Sequence, residues 1–153
     1  MGSAAYGLAF ASYILDSPII KASSLESHHP GQADYLTDLC FQLQCGTIVN
    51  TVLGMEINTV NRCYVYGTKG YIAFDNFWKS QALTLMLNNR ESVTYDFPYP
   101  SEFTFYLDHV SDLLRNNKKE SPIMTHQLTL QSMKYLDDLF KQYLADSLLD
   151  CDR

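Results

Sequence analysis

Cys63-Tyr64-Val65-Tyr66-Gly67-Thr68-Lys69-Gly70-Tyr71-Ile72-Ala73-Phe74 is the stretch on which the fold turns. Two runs of aromatic and branched residues flank a segment bounded by glycines, the pattern of an antiparallel hairpin. The same period of two extends in both directions. Upstream, Leu39, Phe41 and Leu43 alternate with Cys40, Gln42 and Gln44, and Gly46 makes the turn. Val49, Leu53, Met55 and Ile57 then take one parity of a strand from Thr47 to Ile57, while Ile48 and Val52 take the other. Downstream, Leu83, Leu85 and Leu87 alternate, and Asn88-Asn89 signals a turn because asparagine tolerates positive φ.

Helical spacing appears at both ends. Ala4 to Leu15 places Leu8, Ala11 and Leu15 on one stripe, with Tyr6, Phe10 and Tyr13 beside it, and Asp16-Ser17-Pro18 stops it. Pro98 and Pro100 end the strand region. Ser101 caps a helix in which Phe103, Tyr106, Val110 and Leu114 share a face, closed by Asn116-Asn117-Lys118-Lys119. Thr125 caps a last helix with Leu128, Met133, Leu136, Phe140 and Tyr143 inward. The expected fold is therefore α+β: a mostly antiparallel open sheet with helices packed on one face. Residues 1–145 form the domain and 146–153 a polar tail that frays.

The chain has 153 residues, one domain by length, with 46% hydrophobic and 18% charged residues. Its formal charge of -6, with scattered lysines, argues against nucleic acid. No apolar run approaches the length that spans a bilayer, and the N-terminus lacks the basic flank of a signal peptide. Met1-Gly2-Ser3 reads as a vector scar or a cut point. Cys40, Cys45, Cys63 and Cys151 suit neither zinc spacing nor a short disulfide loop. Reduced, mostly buried thiols in a cytoplasmic protein are expected.

Each candidate for chemistry meets a plainer explanation. Gly67-Thr68-Lys69-Gly70 has the residue types of a phosphate loop, but it joins two strands instead of opening a helix. His28-His29 precede Pro30-Gly31 as an exposed loop pair, without ligands at metal spacing. Asp108-His109 are neighbours that do not face each other on a helix, and no nucleophile elbow accompanies them. Asp137-Asp138 form the solvated edge of the last helix. Tyr64, Tyr66, Tyr71, Phe74, Phe77 and Trp78 offer surface that can stack a base or a sugar, although cross-strand packing explains them as well. Both sheet faces look half apolar, so the face away from the helices is expected to meet a second copy in a homodimer.

Three stretches together resemble the glucose-fructose oxidoreductase/inositol dehydrogenase family, in its dihydrodiol-dehydrogenase-like branch. They are Ala5-Tyr6-Gly7-Leu8-Ala9-Phe10-Ala11-Ser12-Tyr13-Ile14-Leu15; Val65 to Ile72 followed by Asn76-Phe77-Trp78; and Glu120-Ser121-Pro122 through Tyr135-Leu136-Asp137 to Gln142. The resemblance implies the C-terminal domain of a two-domain enzyme whose N-terminal Rossmann half holds NAD or NADP. This domain shapes a pocket for a sugar, polyol or dihydrodiol and forms the oligomer contact. Tyr6 falls on the last position of the family's Asp-x-Gly-x-Tyr motif, where it would relay or orient a proton, while Gly2 and Ala4 replace the aspartate and the glycine. A tyrosine that packs the first helix onto the sheet is its structural alternative. No cofactor is expected in this chain itself, and the chain alone is expected to be inactive. The alternative class is a non-enzymatic, sheet-mediated dimeric interaction module.

Overall fold

The computed structural model describes residues 4–29 and 34–150, with side chains through Tyr143. Helix α1 (Ala4–Leu15) leads into strands β1 (Ile19–His28), β2 (Asp34–Leu43) and β3 (Ile48–Gly54). Strands β4 (Arg62–Gly67), β5 (Gly70–Asp75), β6 (Ala82–Leu87) and β7 (Ser92–Asp96) follow, with a 3₁₀ turn at Phe77–Lys79. Helices α2 (Phe103–Arg115) and α3 (His126–Asp150) close the chain. The fold is α+β, and every strand pairing is antiparallel. The strands make two sheets, of order β1-β2-β3 and β4-β5-β6-β7. The chain divides correspondingly into two compact units, residues 60–119 and the remainder. The sequence, read by length, gives no sign of this division.

In the first unit, α1 and α3 cover one face of the three-stranded sheet. Odd positions of β2 supply the core: Thr37, Leu39, Phe41 and Leu43 are buried under Leu8 and Ala11 of α1 and Leu136 and Leu139 of α3. The expected alternation is thus realised residue by residue. α1 approaches β3 so closely that a Cβ on Gly7 would lie 2.9 Å from Thr51 Oγ1. Glycine at this helical position gives up propensity in return for that contact. At the end of α1, Asp16 takes φ 42° and the Ser17 N–H returns to the Ser12 carbonyl, satisfying an orphan helix acceptor.

Several boundaries and faces differ from the sequence expectation. β3 ends at Gly54, where a Cβ would collide with the Ile57 carbonyl at 2.4 Å. The chain folds back there, so Met55 and Ile57 lie outside the strand and are exposed. The inward stripe of α3 is Leu128, Ser132, Tyr135, Leu136, Leu139 and Tyr143, whereas Met133 and Phe140 are exposed. Tyr135 is drawn in because its hydroxyl donates to the Ile19 carbonyl of β1. The Thr125 cap forms as expected, Oγ1 accepting the Leu128 N–H at 3.0 Å. The helical backbone of α3 continues to Asp150, into the segment set apart as a tail.

In the second unit, the central hairpin pairs Tyr64 with Ala73 and Tyr66 with Tyr71. Turn 88–90 follows a different rule from the one inferred. Arg90, at φ 72°, is the left-handed residue, and Asn89 instead accepts the Glu91 N–H with Oδ1. α2 begins at Phe103 with Glu102, not the expected Ser101, at the N-cap position, although Ser101 Oγ accepts the Phe103 N–H. It ends with Asn117 at φ 53° and the Lys118 N–H bonded to the Leu113 carbonyl, a glycine-free version of the Schellman cap. None of the α2 residues is buried, and Phe103, Tyr106 and Leu114 are exposed. α1 and α3 pack on one sheet face, whereas α2 is at most half-buried along its length.

Candidate functional site

Tyr6 sits on α1, turned away from the stripe of Ala4, Leu8 and Ala11 that meets the sheet. It is 70% exposed. Its ring therefore lies off the core of the first unit. Helix geometry is the reason: the residue two positions before Leu8 points about 200° around the axis from it.

A second collection of functional groups lies on one face of the β4–β7 sheet. Strand alternation places Arg62 and Tyr64 of β4, Tyr71, Ala73 and Asp75 of β5, and Thr84 and Met86 of β6 on the same side. They line a cleft of ≈ 690 Å³ together with Asn76, Lys79, Ser80 and Gln81. Arg62 and Asp75 are directly opposed in register, and the Arg62 Nε donates to Asp75 Oδ1. Nη1 of Arg62 donates to the Tyr64 hydroxyl at 3.1 Å. The guanidinium holds the Asp75 carboxyl below its ordinary range. Tyr64, Tyr66 and Tyr71 pack together with ring centroids 5.7–6.0 Å apart. Gln81 donates from Nε2 to the Tyr99 carbonyl, and the Lys79 ammonium lies 4.4 Å from the Trp78 ring centroid.

The remaining sequence candidates take ordinary places. Gly67-Thr68-Lys69-Gly70 joins β4 to β5 and opens no helix. His28 meets Tyr143 edge-on and His29 stacks on Tyr35, with Nε2 3.5 Å from Glu56. Both histidines are exposed; Pro30 and Gly31 lie outside the described residues. Among the described residues, no three His, Cys, Asp or Glu side chains gather as metal ligands. Asp137 pairs with Lys141 along the solvated edge of α3, and Asp138 is exposed.

The cysteines correct the expectation of buried thiols. Cys40 and Cys45 are exposed and Cys63 is half-buried, all free, while Cys151 lies outside the described residues. β2 stops at Leu43, so Cys45 stands in the turn instead of on the strand. There its Sγ meets the Thr47 hydroxyl at 3.4 Å, and that hydrogen bond leads the interactions lowering the thiol to about 7. Burial pushes the Cys63 thiol up. Iodoacetamide at neutral pH is therefore expected to modify Cys45 before Cys63, since the thiolate is the nucleophile. Peptide mass mapping against time reads the order, and Thr47→Val should move the Cys45 pH midpoint upward. Faster labelling of Cys63 would contradict the assignment.

The Rossmann mode of dinucleotide binding seats the pyrophosphate at a glycine-rich turn between a parallel strand and a helix N-terminus. Among the described residues all strand pairs are antiparallel, and the glycine turns connect strands.

No protein-family model matches the sequence, and no curated protein matches it. Solved structures do match by fold. An aldose-aldose oxidoreductase from Caulobacter crescentus, complexed with glycerol, is 21% identical with a TM-score of 0.73, over 90% of this chain and 42% of that one. A UDP-N-acetylglucosamine 3-dehydrogenase from Acidithiobacillus ferrooxidans is 8% identical with a TM-score of 0.73, over 88% of this chain and 43% of its own. A 3-ketoreductase from Actinomadura kijaniata, in complex with NADP and TDP-benzene, is 12% identical with a TM-score of 0.72, over 90% and 43%. The chain has the fold of part of these oxidoreductases and spans less than half their length. This agrees with the resemblance read from its sequence.

Proposed function

We propose that this chain is the C-terminal, substrate-shaping and dimer-forming domain of an NAD(P)-dependent oxidoreductase of the glucose-fructose oxidoreductase/inositol dehydrogenase family. The observation that carries the reading is the fold match, which runs through 90% of this chain and only 42% of the aldose-aldose oxidoreductase. The rest of such an enzyme supplies the nucleotide site. Glycerol in one similar structure and NADP in another favour a sugar-like or polyol substrate and a nicotinamide cofactor. The exposed Tyr6, on the helix that opens the domain, is assigned to orient or relay the hydroxyl proton of the substrate. Free thiols support a reducing, cytoplasmic setting.

Dimerisation is assigned to the sheet face of the first unit opposite α1 and α3. Ile48 and Val52 are 69% and 53% exposed there, beside the exposed Leu25. A self-complementary contact covers such residues on both copies.

Calorimetric titration of the isolated chain with NAD and with NADP tests the division of labour. Neither should bind with useful affinity, whereas the longer protein carrying this chain should bind one of them and reduce it with a polyol. Micromolar binding by the isolated chain would overturn the domain assignment. A longer protein that binds neither would remove the oxidoreductase reading in favour of an interaction module.

A further inference from the structure

We propose that α2 is a self-association surface, on which two copies of the chain pack α2 against α2, antiparallel, about a two-fold axis at Val110. Phe103, Tyr106, Leu107, Val110 and Leu114 fall at i, i+3, i+4, i+7 and i+11, so they form one apolar stripe along the helix. Phe103, Tyr106, Leu107 and Leu114 are each more than half exposed. Phe105 lies off the stripe and meets the Tyr99 ring edge-on. A short helix in water draws most of its stability from packing its apolar face, and a contiguous apolar surface of this kind marks an interaction site.

Charge identifies the occupant as a second copy and sets its direction. Glu102 stands at the N-terminal end of the stripe, and Lys118 and Lys119 follow its C-terminal end. An antiparallel pair centred on Val110 brings position 102 of one copy level with 118 of the other, and 106 level with 114. Each Glu102 carboxylate then has a Lys118 ammonium beside it, Tyr106 lies against Leu114, and the helix dipoles oppose. A parallel pair would set Glu102 beside Glu102 and Lys118 beside Lys118, and like charges exclude it. A lipid surface is the wrong occupant, because helices that lie in an interface carry Lys and Arg on the polar face. The polar face of α2 carries Asp108 and Asp112, and Asp112 pairs with Arg115 at 3.1 Å. A helix of 13 residues offers less area than the about 1,600 Å² of a stable interface. The contact is therefore expected at a dissociation constant of about 100 μM.

The contact depends neither on the oxidoreductase reading nor on the sheet-face dimer, since its residues all belong to α2 and its ends. Sedimentation equilibrium of the full chain over a wide concentration range tests it. From about 10 μM to about 1 mM the mass should double, whatever species is present at the lower limit. It should then stop, because a two-fold contact closes. Tyr106→Glu and Leu114→Glu should each weaken the doubling about ten-fold or more. Their circular dichroism should stay that of the native chain, since both side chains are exposed. Glu102→Lys and Lys118→Glu should each weaken it about five-fold, and the double variant should restore it. Restoration separates a contact between these two positions from a change within α2 itself. No doubling up to about 1 mM would overturn the proposal, as would doubling that survives Tyr106→Glu, growth without limit, or a double variant as weak as the single ones. Doubling of the isolated chain that is lost in the longer protein carrying it would overturn it too, by showing that the remainder of that protein covers the stripe.

Discussion

Sedimentation equilibrium at micromolar concentration is expected to give a dimer for the native chain, folded monomers for Val52→Glu, and an unfolded first unit for Leu53→Glu. The two positions are adjacent on β3 and point to opposite faces of the sheet. Leu53 packs against the core cluster and stands opposite the buried Thr37. A carboxylate there is desolvated without a partner, at a cost on the order of several kcal/mol. That is a large part of the roughly 5–15 kcal/mol that holds a domain folded. Val52, on the open face, stands opposite Asp38, whose own neighbour across the sheet is the exposed Leu25. A second acidic group beside Asp38 repels the facing copy but leaves the helices on their side undisturbed. A dimeric contact of this kind should bury about 1,600 Å² in total. A monomeric native chain would remove the dimer assignment, and a folded Leu53→Glu variant would reverse the assignment of the two faces.

Tyr6→Phe, made in the longer protein that carries this chain, is expected to lower kcat by about ten- to a thousand-fold while the fold persists. Loss of one hydroxyl from an exposed helical side chain should leave thermal unfolding unchanged, because Tyr6 lies off the buried stripe of α1. A role in handling the proton further requires that the acidic or basic limb of the pH–rate profile shift in the variant. A purely structural tyrosine would alter stability and leave the profile in place. Unchanged turnover in a folded Tyr6→Phe protein would withdraw the assignment.

What could be read from the sequence alone was local. The alternation of Leu39, Phe41 and Leu43, the Gly67-to-Gly70 hairpin and the Thr125 cap all depend on residues within a few positions of one another, and all three are present in the structure. The resemblance that singled out Tyr6 rested on order along the chain. The cleft residues are scattered over β4, β5 and β6, and only the register that sets Arg62 opposite Asp75 brings them together. The aromatic content of that stretch was the one signal available for it. The same limit explains the errors. Helical spacing allowed either Met133 and Phe140 or Tyr135 and Leu139 to point inward, because two stripes of similar hydrophobicity run along α3. The choice belongs to a contact made across 116 residues, the Tyr135 hydroxyl on the Ile19 carbonyl. Likewise, Cys45 is exposed because β2 stops at Leu43, where the Leu43 N–H pairs with the Thr47 carbonyl to make the turn. Sequence periodicity determined which residues of each strand share a face. Tertiary packing decided which face is buried, since burial depends on the element that arrives from elsewhere in the chain.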